Sequence, residues 1–396
     1  MKMEAQAVVF FWMIGLIPFL YVLIRGILPL EVSRGRKTVL TLLLFAVAFK
    51  FQILRRFAGP MFFAPDLPNW ILVLAAWAFT SLLFFLVFLL AADILRLLVW
   101  AARRMLRRPP IPRVRALNAG INLVLLTLSC VLTGWGMSNA AAVPGVRRTQ
   151  AVDRMLPSEM EGFELVLLAD LHIDKLTVKD DISEVVRRVN ALRPDAIVIA
   201  GDFVDGTVEE LRDKVAPLAG LRAKYGVYGI PGNHEYYSGY RAWMDHLTGL
   251  GITMLENSRR LLPCRVAIAG VTDPTARRFG EEVPDFGKAL NGVPEGYYKI
   301  LLAHQVKMTR EAAAHGVNVQ LSGHTHGGMV VGLDKLVALS NHGFVSDWYR
   351  VGKMGLYVSR GTYLWKGYPI RLGVPSEITS IHFSRGIPCG PAPARD

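Results

Sequence analysis

An α/β domain behind an α-helical transmembrane bundle is what this 396-residue sequence predicts, on three observations. The first third consists of long uncharged apolar runs, whereas from residue 162 short strand-like runs alternate with helical periodicity. Charge divides at the same place. Residues 1–150 hold 17 Lys and Arg against 4 acids and residues 151–396 hold 28 against 28, so the net +13 belongs to the N-terminal part. A basic excess confined there leaves no phosphate-backbone footprint on the rest, and nucleic acid is not an expected partner. Three widely spaced cysteines form no CxxC, which signals neither a zinc knuckle nor a disulfide framework.

Uncharged runs at 5–24 and 71–92, and a third at 116–146, can each cover the ~30 Å of hydrocarbon that about 20 helical residues span. A fourth run, 38–54, is interrupted by Lys50, which near a helix end snorkels to the interface. Four helices at about 5–30, 38–54, 71–100 and 117–140 make residues 1–146 a transmembrane anchor in a lipid bilayer. Residues 147–161 then read as a linker, 162–384 as a second domain and the Pro- and Gly-rich 385–396 as a flexible tail. The first run exceeds the ~7–15 apolar residues of a signal peptide and further spans follow, so it reads as retained. Six arginines in the loop 103–115 place that loop in the cytoplasm by the positive-inside rule. The last span then crosses outward, and the second domain is expected on the extracytoplasmic side. Arg34, Arg36 and Lys37 agree with this orientation, whereas Arg147 and Arg148 oppose it. Asp93, three residues before Arg96, is expected to pair with it at the interface.

Six runs in the second domain have strand length and composition: 164–170, 195–202, 225–233, 265–273, 297–304 and 317–324. Between the first two, Ile182, Val185, Val186, Val189 and Leu192 share one helical face. Nearly every run ends in a residue able to bind a metal: Asp170 and His172, Asp202, Asn233 and His234, His304, then His324 and His326. Ligands of open α/β sheets collect outside the carboxyl ends of the strands, so these side chains converge. Carboxylates, imidazoles and a carboxamide without thiolate suit Mn, Fe, Zn or Co, and the ligands are too many for one ion. They fit two adjacent divalent metal ions, which activate water at neutral pH and clamp phosphate oxygens.

The blocks DLHID (170–174), GDFVDG (201–206), GNHEYY (232–237), the His304 strand end and GHTHGG (323–328) resemble, in order, the signature blocks of the calcineurin-like metallophosphoesterase superfamily. GFELVLLADLH, LYVSRG and PIRLGVPSEIT are similar to its bacterial membrane-attached YkuE/YaeI-like subgroup, over about residues 160–383. The resemblance implies a fold of two packed mixed β-sheets flanked by helices, a four-layer sandwich. It implies that Asp170, His172 and His326 hold one metal, that Asp202 bridges, and that Asn233, His304 and His324 hold the second. His234 would contact the phosphoryl oxygen or protonate the leaving oxygen. The expected protein is a membrane-anchored dinuclear-metal phosphoesterase of a multi-pass bacterial inner (cytoplasmic) membrane type. It would hydrolyse phosphomonoesters or phosphodiesters, lipid-linked or envelope esters among them, by attack of a metal-bridging hydroxide. The alternative is a membrane sensor or scaffold that binds a phosphate ligand without turnover.

This chain departs from the subgroup at Gln305 and Val306, at Met329, at Gly361–Thr362–Tyr363 and at Pro375–Ser376–Glu377. None of these removes a ligand, so they bear on the substrate pocket, for which Met329 and Arg360 are the candidate residues and Arg371 a further one. Asp205 admits two readings, orienting a ligand from behind or capping the helix near Thr207. Gly323, Gly327 and Gly328 are expected to let backbone approach the metal centre.

Overall fold

The computed structural model describes residues 2–58, 65–109 and 115–386. Most of the expected flexible tail, from 387, and residues 110–114 of the basic loop lie outside them. The chain forms two compact units, Met1–Ser138 and Asn139–Asp396.

In the first unit, among the described residues, two helices are long and apolar enough to cross a membrane: Asn69–Met105 and the Asn118–Ala141 part of Arg115–Ala141. Trp12–Ile27 is apolar but shorter. The run expected as one span over 38–54 forms two helices, Arg34–Ala48 and Lys50–Ala58, bent by 69° at the break, which together are long and apolar enough for one broken span or a re-entrant loop. Lys50 is buried beside the break, its ammonium 4.5 Å and 4.7 Å from the ring centres of Phe51 and Phe79, where aromatic faces attract a cation. Asp93 pairs with Arg96 at 2.6 Å as expected, and also accepts from Arg25 Nε at 2.6 Å and the Tyr21 hydroxyl at 2.7 Å.

The described residues of the second unit form twelve strands: β1 Gly145–Val152, β2 Glu164–Leu168, β3 Ala196–Ile199, β4 Val227–Gly229, β5 Thr253–Met254, β6 Ser258–Leu262, β7 Val266–Gly270, β8 Tyr298–Leu302, β9 Val319–Ser322, β10 Asp347–Val351, β11 Met354–Val358 and β12 Glu377–Ser384. They form two six-stranded mixed sheets, ordered β1-β12-β2-β3-β4-β5 and β10-β11-β9-β8-β7-β6. Alternation along the strands makes the layers. Leu165, Leu167, Ile268, Ile300, Leu302 and Leu321 pack between the sheets. Val166 and Leu168 face outward onto Ile182, Val185 and Val189 of the helix Lys179–Ala191, whose apolar stripe is the one its sequence spacing predicts. Ala269 and Leu301 face Phe286 and Ala312 on the other side. Strands buried on both faces carry near-continuous apolar runs, which is why these could be read from sequence.

The linker expectation for 147–161 is corrected by the structure, because residues 147–152 belong to β1. That strand runs parallel to β12 over its full length, from Gly145 opposite Glu377 to Val152 opposite Ser384. Its polar, half-exposed composition, with Arg147 and Arg148, suits an edge strand. Topology adds a point that matters below. β12 is antiparallel to β2, which is parallel to β3 and β4, so β1 begins at the end of the sheet where β2, β3 and β4 finish.

Trp243 ties the outer helical layer to a ligand loop, its ring fully buried and its indole N–H donating to the Gly206 carbonyl at 2.9 Å. Trp243→Ala is expected to lower the stability of the domain by about 3–5 kcal/mol, read as an earlier midpoint in urea unfolding of the purified chain, with a much smaller loss for Trp243→Phe.

Candidate metal centre

Each expected ligand follows a strand end, where the backbone turns back across the sheet edge. Asp170, His172, Asp202, His324 and His326 all have positive φ, at 55°, 42°, 55°, 71° and 51°. A left-handed non-glycine residue costs on the order of 1–3 kcal/mol and persists only where its surroundings over-determine it. Here the turns swing five side chains toward one another. Asp170, His172 and His326 form one group and Asp202, His304 and His324 another, each able to offer ligand atoms within 4.8 Å of one another.

The groups meet at one carboxylate. Asp202 Oδ2 lies 3.1 Å from His304 Nε2 and 3.7 Å from His172 Nε2, so a single oxygen faces a ligand of each group. The backbone N–H of His324 donates to Asp170 Oδ1 at 2.9 Å, and that of His234 to Asp202 Oδ1 at 2.9 Å. Asn233 Oδ1 sits 3.2 Å from His304 Nε2. His304 is oriented by donating from Nδ1 to the Ala200 carbonyl at 2.8 Å.

Asp205 is the orienting residue; the helix after it is capped by Thr207 with Glu210 in a reciprocal box. Its carboxylate accepts from His172 Nδ1 at 3.0 Å and, through its other oxygen, from His234 Nδ1. One buried acid thereby sets the orientation of both imidazoles. His172 Nε2 is left buried without a hydrogen-bond partner, pointing among the carboxylates. Buried polar atoms are rarely orphaned, and a ring nitrogen fixed from behind and bare in front has the environment of a metal ligand. The donor set therefore fits divalent metal.

Electrostatics agree with the geometry. Burial opposes charge on Asp205, but His172 and His234 outweigh it and hold the carboxyl well below its usual range. Burial likewise lowers His324, to about 3, and His326, keeping both imidazoles in the neutral form that binds metal. For His234 burial is overcome by Asp205 and Asp202, which raise it to about 9.

Sequence reasoning missed Glu235, which the block GNHEYY placed in plain view. Its buried carboxylate accepts from four backbone N–H groups: Gly232 at 2.6 Å, Phe203 at 2.7 Å, Asp202 at 3.0 Å and Val204 at 3.2 Å. It therefore shapes the loop that carries Asp202 and Asp205. The signal was an acidic residue three positions after a glycine at a helix start, the pattern of a capping box.

The other candidates have structural work. Arg360 donates to Asp347 at 3.0 Å, and its Nε lies 3.9 Å from Glu377. Arg371 is almost fully buried, its guanidinium bonding the carbonyls of Arg360, Gly361, Tyr363, Val374 and His326. Met329, also left-handed at φ 62°, accepts through its carbonyl from Leu372 N at 3.0 Å. Of the three glycines, Gly323 behaves as expected, since a methyl there would lie 2.6 Å from Asp170 Oδ2. Gly327 and Gly328 instead pack against Arg360 with Val374 and against Asp334.

The family model of calcineurin-like phosphoesterases matches residues 163–328. A zebrafish (Danio rerio) transmembrane protein with metallophosphoesterase domain is 35% identical, over 65% of this chain and 62% of its own length. An uncharacterized metallophosphoesterase of Helicobacter pylori is 33% identical over 66% of this chain and 70% of its own. The uncharacterized metallophosphoesterase YkuE of Bacillus subtilis is 28% identical over 57% of this chain and 80% of its own.

Asp205→Asn keeps shape but loses the charge that holds two imidazoles, and is expected to weaken metal binding by about 10- to 100-fold in a calorimetric Mn titration. Glu235→Ala strips four buried N–H groups of their acceptor at about 1–3 kcal/mol apiece, and should leave little folded protein by circular dichroism and proteolysis.

Proposed function

The chain belongs to the calcineurin-like metallophosphoesterases, and on that premise we propose that it is a membrane-anchored hydrolase of phosphomonoesters or phosphodiesters with a dinuclear metal centre. The observation that carries this reading is Asp202 Oδ2, facing His304 of one ligand group and His172 of the other. One carboxylate between two ligand sets is the arrangement a metal pair requires.

Asp170, His172 and His326 would hold the first ion, Asn233, His304 and His324 the second, and Asp202 both. Two ions of the Mn, Fe, Zn or Co class supply activation of water and neutralisation of the phosphoryl oxygens. The rest is done by this chain. Glu235 and the tight turns keep the carboxylates convergent before substrate arrives, so little reorganisation remains for the reaction. His234 stands beside the centre with its ring 4.6 Å from that of His172. With Nδ1 held by Asp205, it is oriented to steady a phosphoryl oxygen or hand a proton to the leaving oxygen. The zebrafish relative's description as a transmembrane protein and the two long apolar helices support membrane attachment. The arginine-rich loop supports an extracytoplasmic site.

Purified full-length chain with Mn is expected to hydrolyse p-nitrophenyl phosphate or its bis ester. Asn233→Ala should abolish this, and His234→Ala should lower kcat by about 10²–10⁴ while the metals stay bound. Activity no greater than that of Asn233→Ala would replace this reading with the sensor or scaffold. For topology, a C-terminal alkaline phosphatase fusion should be active and a green fluorescent protein fusion dark. The reverse pattern places the domain in the cytoplasm.

A further inference from the structure

Among the described residues of the second unit, the most exposed large apolar side chains clustered outside the metal centre lie directly after the GHTHGG turn. Val331, Leu336 and Leu339 are 70%, 63% and 80% exposed. The helix Leu333–Ser340, which carries two of them, has no buried residue. A helix held out from a domain with its leucines in water needs a cover, since a cluster of large exposed apolar side chains marks an interaction surface.

The chain itself indicates what covers it. Arg115–Ala141 contains the candidate span Asn118–Ala141, about 36 Å long at 1.5 Å per residue against ~30 Å of hydrocarbon, so its last turn emerges at the lipid–water interface. Trp135, a turn and a half before the end, is exposed in the manner of an interfacial anchor. From that last turn Asn139 Nδ2 donates to the Arg371 carbonyl at 3.1 Å. The next residue, Leu372, is paired with the strip leading into the exposed helix: Leu372 N donates to Met329 O and Val331 N to Leu372 O, both at 3.0 Å. Arg371 Nη1 reaches the carbonyl of His326 at 3.3 Å. The emerging helix end, the apolar helix and a proposed metal ligand thus share one short loop. Strand direction agrees, since β1 enters the domain at the end where β2, β3 and β4 deliver their ligands.

We propose that Val331 and the helix Leu333–Ser340 dock on the bilayer surface beside the mouth of the metal centre, and that the esters this centre takes are those presented at a lipid–water interface. The docking stands on the geometry alone; the substrate class rests on the phosphoesterase reading above. Amphipathic segments of this kind settle roughly 5–10 Å into the headgroup boundary. The esters they favour are phosphates borne on a lipid.

The test uses the full-length chain with Cys130, Cys264 and Cys389 replaced by serine and Leu339→Cys carrying a nitrobenzoxadiazole fluorophore. It is reconstituted into vesicles of phosphatidylethanolamine with a minority of phosphatidylglycerol. The control label is at Met155→Cys, an equally exposed position that follows β1 and so lies toward the opposite end of the sheet. Both are surface sites, where substitution changes stability little. Nitroxide lipids labelled near the headgroup should quench the label at 339 at least about threefold more than that at 155, as burial at the acyl boundary requires. Equal quenching at the two positions overturns the proposal. So does a label at 339 that is shielded from aqueous iodide yet untouched by lipid nitroxide, which would mean a second protein surface. Catalysis does not enter the readout: a docked but inactive protein counts against the phosphoesterase reading alone, and an active but undocked one against this proposal alone.

Discussion

Three carboxylates, Asp170, Asp202 and Asp205, are buried together beyond the carboxyl ends of β2 and β3, and the rest of the domain answers to them. Buried charge is tolerated only where it is paired and hydrogen-bonded. Backbone N–H groups of His324 and His234 are turned onto Asp170 and Asp202, and imidazoles fill the remaining directions. The left-handed turns that achieve this are held in place by Glu235, which gathers four N–H groups of the Asp202 and Gly232 loops onto one side chain. Cooperation among these contacts, more than any one ligand, makes the site rigid before substrate binds.

The legible part of the sequence was the part where local pattern and burial coincide. Strands β2, β3, β7, β8 and β9 are buried on both faces and read as continuous apolar runs, and candidate metal-binding residues follow the ends of β2, β3, β8 and β9. Polar or amphipathic strands did not announce themselves. β1 looked like a linker because its Arg147 pairs across space with Asp347 and Glu377, partners two hundred residues distant in the chain. The structural role of Arg371, a further candidate for the substrate pocket, was hidden for a related reason: a buried guanidinium that bonds main-chain carbonyls leaves no spacing signal. In the first unit, composition showed apolar length but not the 69° bend beside Lys50.

The loop around Arg371 is bonded to the end of the emerging helix, to the main chain of His326 and, through Leu372, to the exposed apolar helix. Met329, left-handed and paired with Leu372, lies in that strip and gives the departure from related sequences a structural setting.

The central claim is a metal pair sharing Asp202. Metal stoichiometry of the purified full-length chain, by inductively coupled plasma mass spectrometry after equilibration with Mn and removal of excess, tests it most directly. The account predicts two ions per chain, and loss of both from Asp202→Ala, because the shared carboxylate serves each. One ion per chain in the native protein, or two retained by Asp202→Ala, would contradict it.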